Sequence, residues 1–467
     1  MLRRCEAWVG GWVLTTLLCG TGCQKDAAPG GGAAAAKAAL PAVAVGGAAD
    51  DREVRLALLR SSEGRPVDTL ITTLQDRATR FPQKIDGWIL LGHAWIRKAR
   101  ETVEPGYYRN AEACAAVALR LEPGNTLALN LRGLVLLNDH QFQDALQLAQ
   151  SILRRNDFDP LALGTLSDAL LELGRVEAAE EAVGHMMALK PNMPSYARAS
   201  YLQFLRGQSV AAKQAIRLAI DASPASRTDP EPRAWAITQA AQLFWHEGDY
   251  EGADAGYLLA LKGHPDFPAA LVGRGLVAMA QGRYRDAAGH FDVAQRRNPL
   301  PETAWLLGDA RTLAGDLQGA NEAYDQLLRQ GRRTDPRTVA LYLARSGRDL
   351  PEALALIEGE RKGRNDLYTQ DIYAYVLHRL GRQAEARTAI DAVRGVGIKD
   401  APIQYHAAEI HAASGAAAGA RTLVEDALRR NPRFDVGGAK GAQALLARLG
   451  GRAQATPAST ENRLAAR

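Results

Sequence analysis

Gly174-Arg175-Val176-Glu177-Ala178-Ala179 recurs in outline as Gly248-Asp249-Tyr250-Glu251-Gly252-Ala253 and as Gly282-Arg283-Tyr284-Arg285-Asp286-Ala287. Each copy is a glycine, an apolar or aromatic residue two positions on, and an alanine three beyond that. Weaker copies pair Gly207 with Ala212, Gly315 with Ala320, Gly381 with Ala386 and Gly415 with Ala420. Proline follows about a turn past the second half of each unit, at Pro123, Pro191, Pro224, Pro265, Pro299 and Pro432. Pro191 and Pro224 are 33 residues apart, Pro265 and Pro299 are 34, and so are Gly381 and Gly415. At roughly 150 residues per domain, 467 residues would read as about three domains. A fixed period near 34 argues instead for an array of small units.

The residue types explain the unit. A glycine at the end of a first helix supplies the positive φ that reverses the chain. The apolar residue two later plugs the turn, and the small residues Gly92, Gly275, Gly308, Ala179, Ala253 and Ala287 sit where two helix backbones approach closely. Proline then stops the second helix. One such hairpin cannot bury its own apolar face, so neighbours must stack. Composition agrees: 47% hydrophobic with 23% charged residues is that of a folded chain, and only 6% aromatic suits close-packed helices better than a β-sandwich.

The fullest unit, Trp88-Ile89-Leu90-Leu91-Gly92-His93-Ala94-Trp95 continuing through Ala111, Ala115 and Ala118 to Pro123, resembles the tetratricopeptide repeat. It carries about seven extra residues, Arg100 to Gly106, between its helices. The resemblance implies an all-α fold: an α-solenoid, a right-handed superhelix of about ten helix-turn-helix repeats over 84–436. A degenerate repeat or cap is expected at 51–83, a capping helix at 437–450 and a disordered tail at 451–467. Repeats near 335–365 and 366–400 are the least regular, and 226–233 reads as a longer loop between two repeats.

In that family, set positions of each first helix face a concave groove that holds a protein or peptide. Carried onto this chain, the register gives His93, Arg97, Asn130, Tyr201, Phe204, Gln242, Trp245, His246, Trp305, Asp309, Tyr375 and Arg379, with Asn138, Asp168, Glu172, Trp235, His378, Asp371, Tyr405 and Glu409 as further candidates. Flat rings flanked by amides and charges offer contact area at low entropy cost. The alternative use of each ring is packing against the next repeat. The basic clamp with which some members hold a C-terminal carboxylate is approached only by Arg97, Asn130 and Asn138, so that role is not implied.

The first 23 residues read as a bacterial export signal. Arg3 and Arg4 precede an apolar run from Trp8 to Cys19, too short to span a bilayer as a helix. Gly20-Thr21-Gly22-Cys23 resembles the lipobox of bacterial lipoproteins, departing from it at Gly20, where the family prefers Leu or Val. The resemblance implies that Cys23 carries the lipid and becomes the mature N-terminus. Gln24, with Asp only at 26, favours the periplasmic face of the outer membrane. An ordinary secretory signal cut elsewhere is the competing reading. Residues 24–50, rich in Ala, Gly and Pro, form a tether with a reach of about 30 Å. With Cys5 and Cys19 lost and Cys23 lipidated, Cys114 alone remains, so no internal disulfide is possible.

There is no His-Glu-x-x-His, Cys-x-x-Cys, P-loop or Gly-x-Ser-x-Gly. His406 and His411 are five apart, about 140° around a helix, and cannot share one metal cleanly. No catalytic residue, metal or cofactor is expected. Lys and Arg exceed Asp and Glu by only 57 to 52 without long basic runs, which argues against a nucleic-acid partner. The expected function is a non-enzymatic, lipid-anchored envelope scaffold that binds a protein partner in its groove and helps assemble a larger complex. The alternative is an accessory of exopolysaccharide secretion or pilus assembly, with polysaccharide as a possible ligand.

Overall fold

A computed structural model describes residues 51–61, 64–224 and 229–450. The expected signal peptide, Cys23, the expected tether and the expected tail after 450 lie outside the described residues. So does part of the expected 226–233 loop, whose last residues turn straight into the helix Glu231–His246.

The described residues are all-helical. Arg52–Ala57 and Pro66–Arg80 are followed by ten helix pairs, numbered here as repeats one to ten: 85–121, 126–153, 160–189, 193–221, 231–263, 268–297, 301–334, 336–360, 367–395 and 401–430. A last helix, Val436–Arg448, packs on repeat ten. Each pair folds back on itself and stacks on the next, the packing of an α-solenoid.

The local signals work as their chemistry requires. Gly174, Gly207, Gly248, Gly282, Gly315, Gly347, Gly381 and Gly415 all have positive φ at the turn inside a pair. Repeats one and two turn without glycine, on Val103 at φ 55° and His140 at φ 56°. In repeat one the extra residues mostly lengthen the first helix, which runs Ile85–Thr102. Starts are capped: Asn125, Asp159, Asn192 and Asp366 accept from the first-turn backbone N–H groups. The small residues sit at true close approaches. A Cβ on Gly275 would lie 2.3 Å from the Phe291 ring, and one on Gly92 would lie 2.3 Å from Leu131.

The array winds back onto itself. The turn of repeat three meets the loop before repeat nine, where Asn365 N–H donates to the Glu172 carbonyl at 2.7 Å. The turn of repeat four meets the loop before repeat ten, where Arg206 donates to the Val396 carbonyl at 3.2 Å. The turn of repeat five meets the loop before the last helix, where Asn431 donates to the Trp245 carbonyl at 2.7 Å and accepts from the Tyr250 hydroxyl at 2.6 Å. Arg433 reaches the Ala280 carbonyl of repeat six at 2.6 Å. The first three contacts step by one repeat on both sides, so six repeats bring the solenoid round and the second turn rests on the first. One apolar core is shared across this seam, joining Leu170, Tyr201 and Leu205 to Leu367, Ile398 and Tyr405.

Candidate functional site

The seam uses several of the residues expected in an open groove. Tyr201, Phe204 and Trp245 are buried, at 7%, 6% and 7% exposure. Phe204 packs on the His246 ring at 4.7 Å, and His246 Nδ1 lies 2.8 Å from the Asp400 carboxylate. Trp245 packs against Tyr250 at 5.6 Å while its carbonyl holds Asn431. Tyr201 and Phe204 share a core with the chain's own second turn and His246 reaches it through Asp400, while the Trp245 ring packs within repeats five and six. Asn130 is buried too and donates to Asp159, the cap of the next repeat, at 3.1 Å. Arg97 pairs with Glu101 at 2.6 Å, and burial beside Arg100 pushes His93 down to about 4.

Two other places bring the remaining candidates together. The first is on the first helices of repeats seven to nine. Arg345 lies over the Trp305 ring at 5.5 Å, with Tyr342 edge-on to the same ring at 5.4 Å. Asp309 accepts from the Tyr324 hydroxyl at 2.7 Å, and burial pushes its carboxyl up to about 6. Arg379 donates to the Arg345 carbonyl and to the Tyr375 hydroxyl, and Tyr375 stacks on His406 at 4.1 Å. Trp305, Asp309, Arg345 and Arg379 are half-buried and lie over three consecutive repeats, with Arg345 also paired to Asp435 at 2.9 Å.

The second is the interior of the coil. A cavity of about 750 Å³ lies between the first helices of repeats one to six and the start of repeat nine. Gln242 lines it, with Asn138, Asp168, Glu172 and Trp235. Gln239 and Tyr257, which the family register did not pick out, line it as well. A signal for Gln239 was present: Trp235, Gln239 and Gln242 stand at i, i+4 and i+7 on one helix, and so share a face.

The histidines make no metal site. His406 Nδ1 is 2.8 Å from Asp371, and His411 Nε2 is 2.9 Å from Asp391, each pair on its own. Among the described residues, no group of three or more His, Cys, Asp or Glu is placed to hold a metal ion. No described helix is long and apolar enough to cross a membrane.

Comparison with known proteins matches two models of one family, both described as tetratricopeptide repeat. One covers residues 97–160, 238–300 and 274–336, and the other 136–201. The chain carries tetratricopeptide repeats. Among curated proteins, this tetratricopeptide-repeat chain is similar to the cellulose synthase operon protein C of Pseudomonas fluorescens (strain SBW25). The two are 28% identical over 222 residues, 45% of this chain and 17% of that protein. The match therefore spans less than a fifth of the relative's length. Among solved structures, PilW, a widely conserved type IV pilus biogenesis factor, is 17% identical, covering 45% of this chain and 96% of that one with a TM-score of 0.38. A human IFIT1 dimer with PPP-AAAA is 14% identical, covering 81% of this chain and 89% of that one with a TM-score of 0.46.

Proposed function

We propose that this protein is a non-enzymatic scaffold of the bacterial cell envelope, lipid-anchored through Cys23 and held off the periplasmic face of the outer membrane by residues 24–50. Its repeats bind a protein partner and support assembly of a larger complex. The observation that carries this reading is the patch built from Trp305, Asp309, Arg345 and Arg379. An aromatic ring, a carboxyl and two guanidiniums aligned over consecutive repeats suit an extended peptide, which carries both signs of charge and apolar side chains. Tetratricopeptide repeats commonly serve such partners.

The test is in-cell crosslinking of the tagged full chain with mass spectrometry of what is captured. A double variant Trp305→Ala with Arg379→Ala should lose the captured protein and keep its helical circular dichroism. Unchanged capture would remove the patch from the reading. A Cys23→Ala copy should move from the membrane fraction to the soluble one.

The second reading is an accessory role in polymer export or pilus assembly. Its support is the similarity to a protein named for a cellulose synthase operon.

A further inference from the structure

The interior cavity has a chemistry of its own. Several of its charges are already paired. Arg364 meets Glu172 at 2.5 Å and Asp366 at 3.3 Å, and the Arg198 fork holds Asp168 at 2.6 and 2.8 Å. Arg100 faces Glu231 at 3.6 Å, and Arg297 pairs with Asp266. A ligand carrying net charge would have to compete with these pairs for a counter-charge, at the cost of its own desolvation.

What the wall presents beyond these pairs is neutral. Trp235 offers a partly exposed ring, and Gln239 and Gln242 follow it along the same helix face. Gln239 is 6% exposed, and its Oε1 accepts no hydrogen bond among the described residues. Buried polar atoms are almost always paired, so an amide oxygen left without a partner on a side chain that lines a roomy polar cavity points to a ligand that supplies one. A carboxamide is donor and acceptor at once, and so is a hydroxyl. A sugar ring adds an apolar face of C–H groups that lies flat on an aromatic ring. The volume falls within the roughly 300–1,000 Å³ of small-ligand sites.

We infer that the interior of the coil binds a neutral, hydroxyl-rich glycan segment, with Trp235 as its stacking platform and Gln239 and Gln242 as its hydroxyl partners. The site is distinct from the Trp305–Arg379 patch and does not rest on the scaffold reading. It deepens the polymer-export reading by giving it a ligand chemistry, and its argument is the cavity wall rather than the relative.

The test is calorimetry and tryptophan emission of the full-length chain with three probes: a neutral β-1,4-linked glucose hexamer, a galacturonate hexamer of similar length, and a synthetic peptide of residues 24–50. The neutral hexamer should bind saturably and shift the emission, with the uronate at least about tenfold weaker. Trp235→Ala should weaken the neutral hexamer about tenfold, and Trp235→Phe, which keeps a ring, should recover most of that loss. Gln239→Leu should also weaken binding while leaving the melting temperature level or higher, since it removes a buried unpaired amide and would reveal a merely structural role by a drop. Equal affinity for the uronate, binding of the peptide alone, or no response to the neutral hexamer would overturn the inference. Partner capture through Trp305 and Arg379 is measured separately, so either reading can fail without the other.

Discussion

Asn365 donates its backbone N–H to the Glu172 carbonyl across 2.7 Å, and Arg364 beside it grips the Glu172 side chain at 2.5 Å. Two residues on, Gly174 packs so closely that a Cβ there would lie 2.3 Å from the Asn365 carbonyl oxygen. The turn glycine of repeat three therefore answers two demands, a positive φ and room for another part of the chain.

Glycine-to-alanine substitutions should separate those demands. Gly381→Ala and Gly415→Ala have open space around the new methyl and should cost about 1–2 kcal/mol through backbone conformation alone. Gly174→Ala, Gly207→Ala and Gly248→Ala press on backbone of the second turn and should cost an additional 1–3 kcal/mol or so. Thermal melting of the five variants checks the split; equal losses would mean that the seam gives way freely.

Arg364 is 5% exposed and lies among Glu172, Asp366 and Glu360. Removing it strands buried carboxylates, so Arg364→Ala should cost about 3–5 kcal/mol, more than any surface ion pair in the molecule. Small-angle scattering should show an enlarged radius of gyration, because the lost contact lies between turns and not within a repeat. A destabilised variant of unchanged size would place the effect in the local pairs with Glu360 and Asp366.

Cys114 is fully buried, and burial raises its thiol well above the ordinary value. It should resist alkylation at pH 8 in the folded chain and react fully in denaturant. Mass spectrometry of the peptide bearing Cys114 distinguishes it from the cysteines near the N-terminus. Rapid labelling under native conditions would contradict its placement beside Gly92.

His93 titrates at about 4 in the folded chain against an ordinary value near 6.5. Between those values the unfolded state holds a proton that the folded state does not. Stability from this group is therefore complete above pH 6.5 and is lost as the pH falls towards 4, by about 1–3 kcal/mol. Denaturant melts at pH 7 and pH 4.5 should show a smaller difference for His93→Gln than for the parent chain.

Much of the architecture could be read from local spacing. Gly174, Gly248 and Gly282 announced their turns because positive φ leaves a mark on residue type wherever it occurs. Gly92, Gly275 and Gly308 announced close helix contacts for a similar reason. The seam left no such mark. Asn365, Asp400 and Asn431 are ordinary loop residues, and their partners Glu172, His246 and Trp245 lie more than 150 positions away. The family register placed Tyr201, Phe204 and Trp245 on the groove face, and the structure buries all three. What it could not foresee is that the chain's own repeats nine and ten join the core around Tyr201 and Phe204, since coil tightness arises from small rotations summed over six repeats.

The seam also fixes an order of events during synthesis. Repeats one to eight can each settle on the neighbour made just before, as a linear array does. The Glu172 carbonyl must wait for residue 365, and the Trp245 carbonyl for residue 431. Closing loops of nearly 200 residues is the slow, non-local kind of step in folding. Until the last hairpins emerge, Tyr201 and Leu205 lack the second-turn half of their core, so the growing chain is most exposed to aggregation just before it is finished.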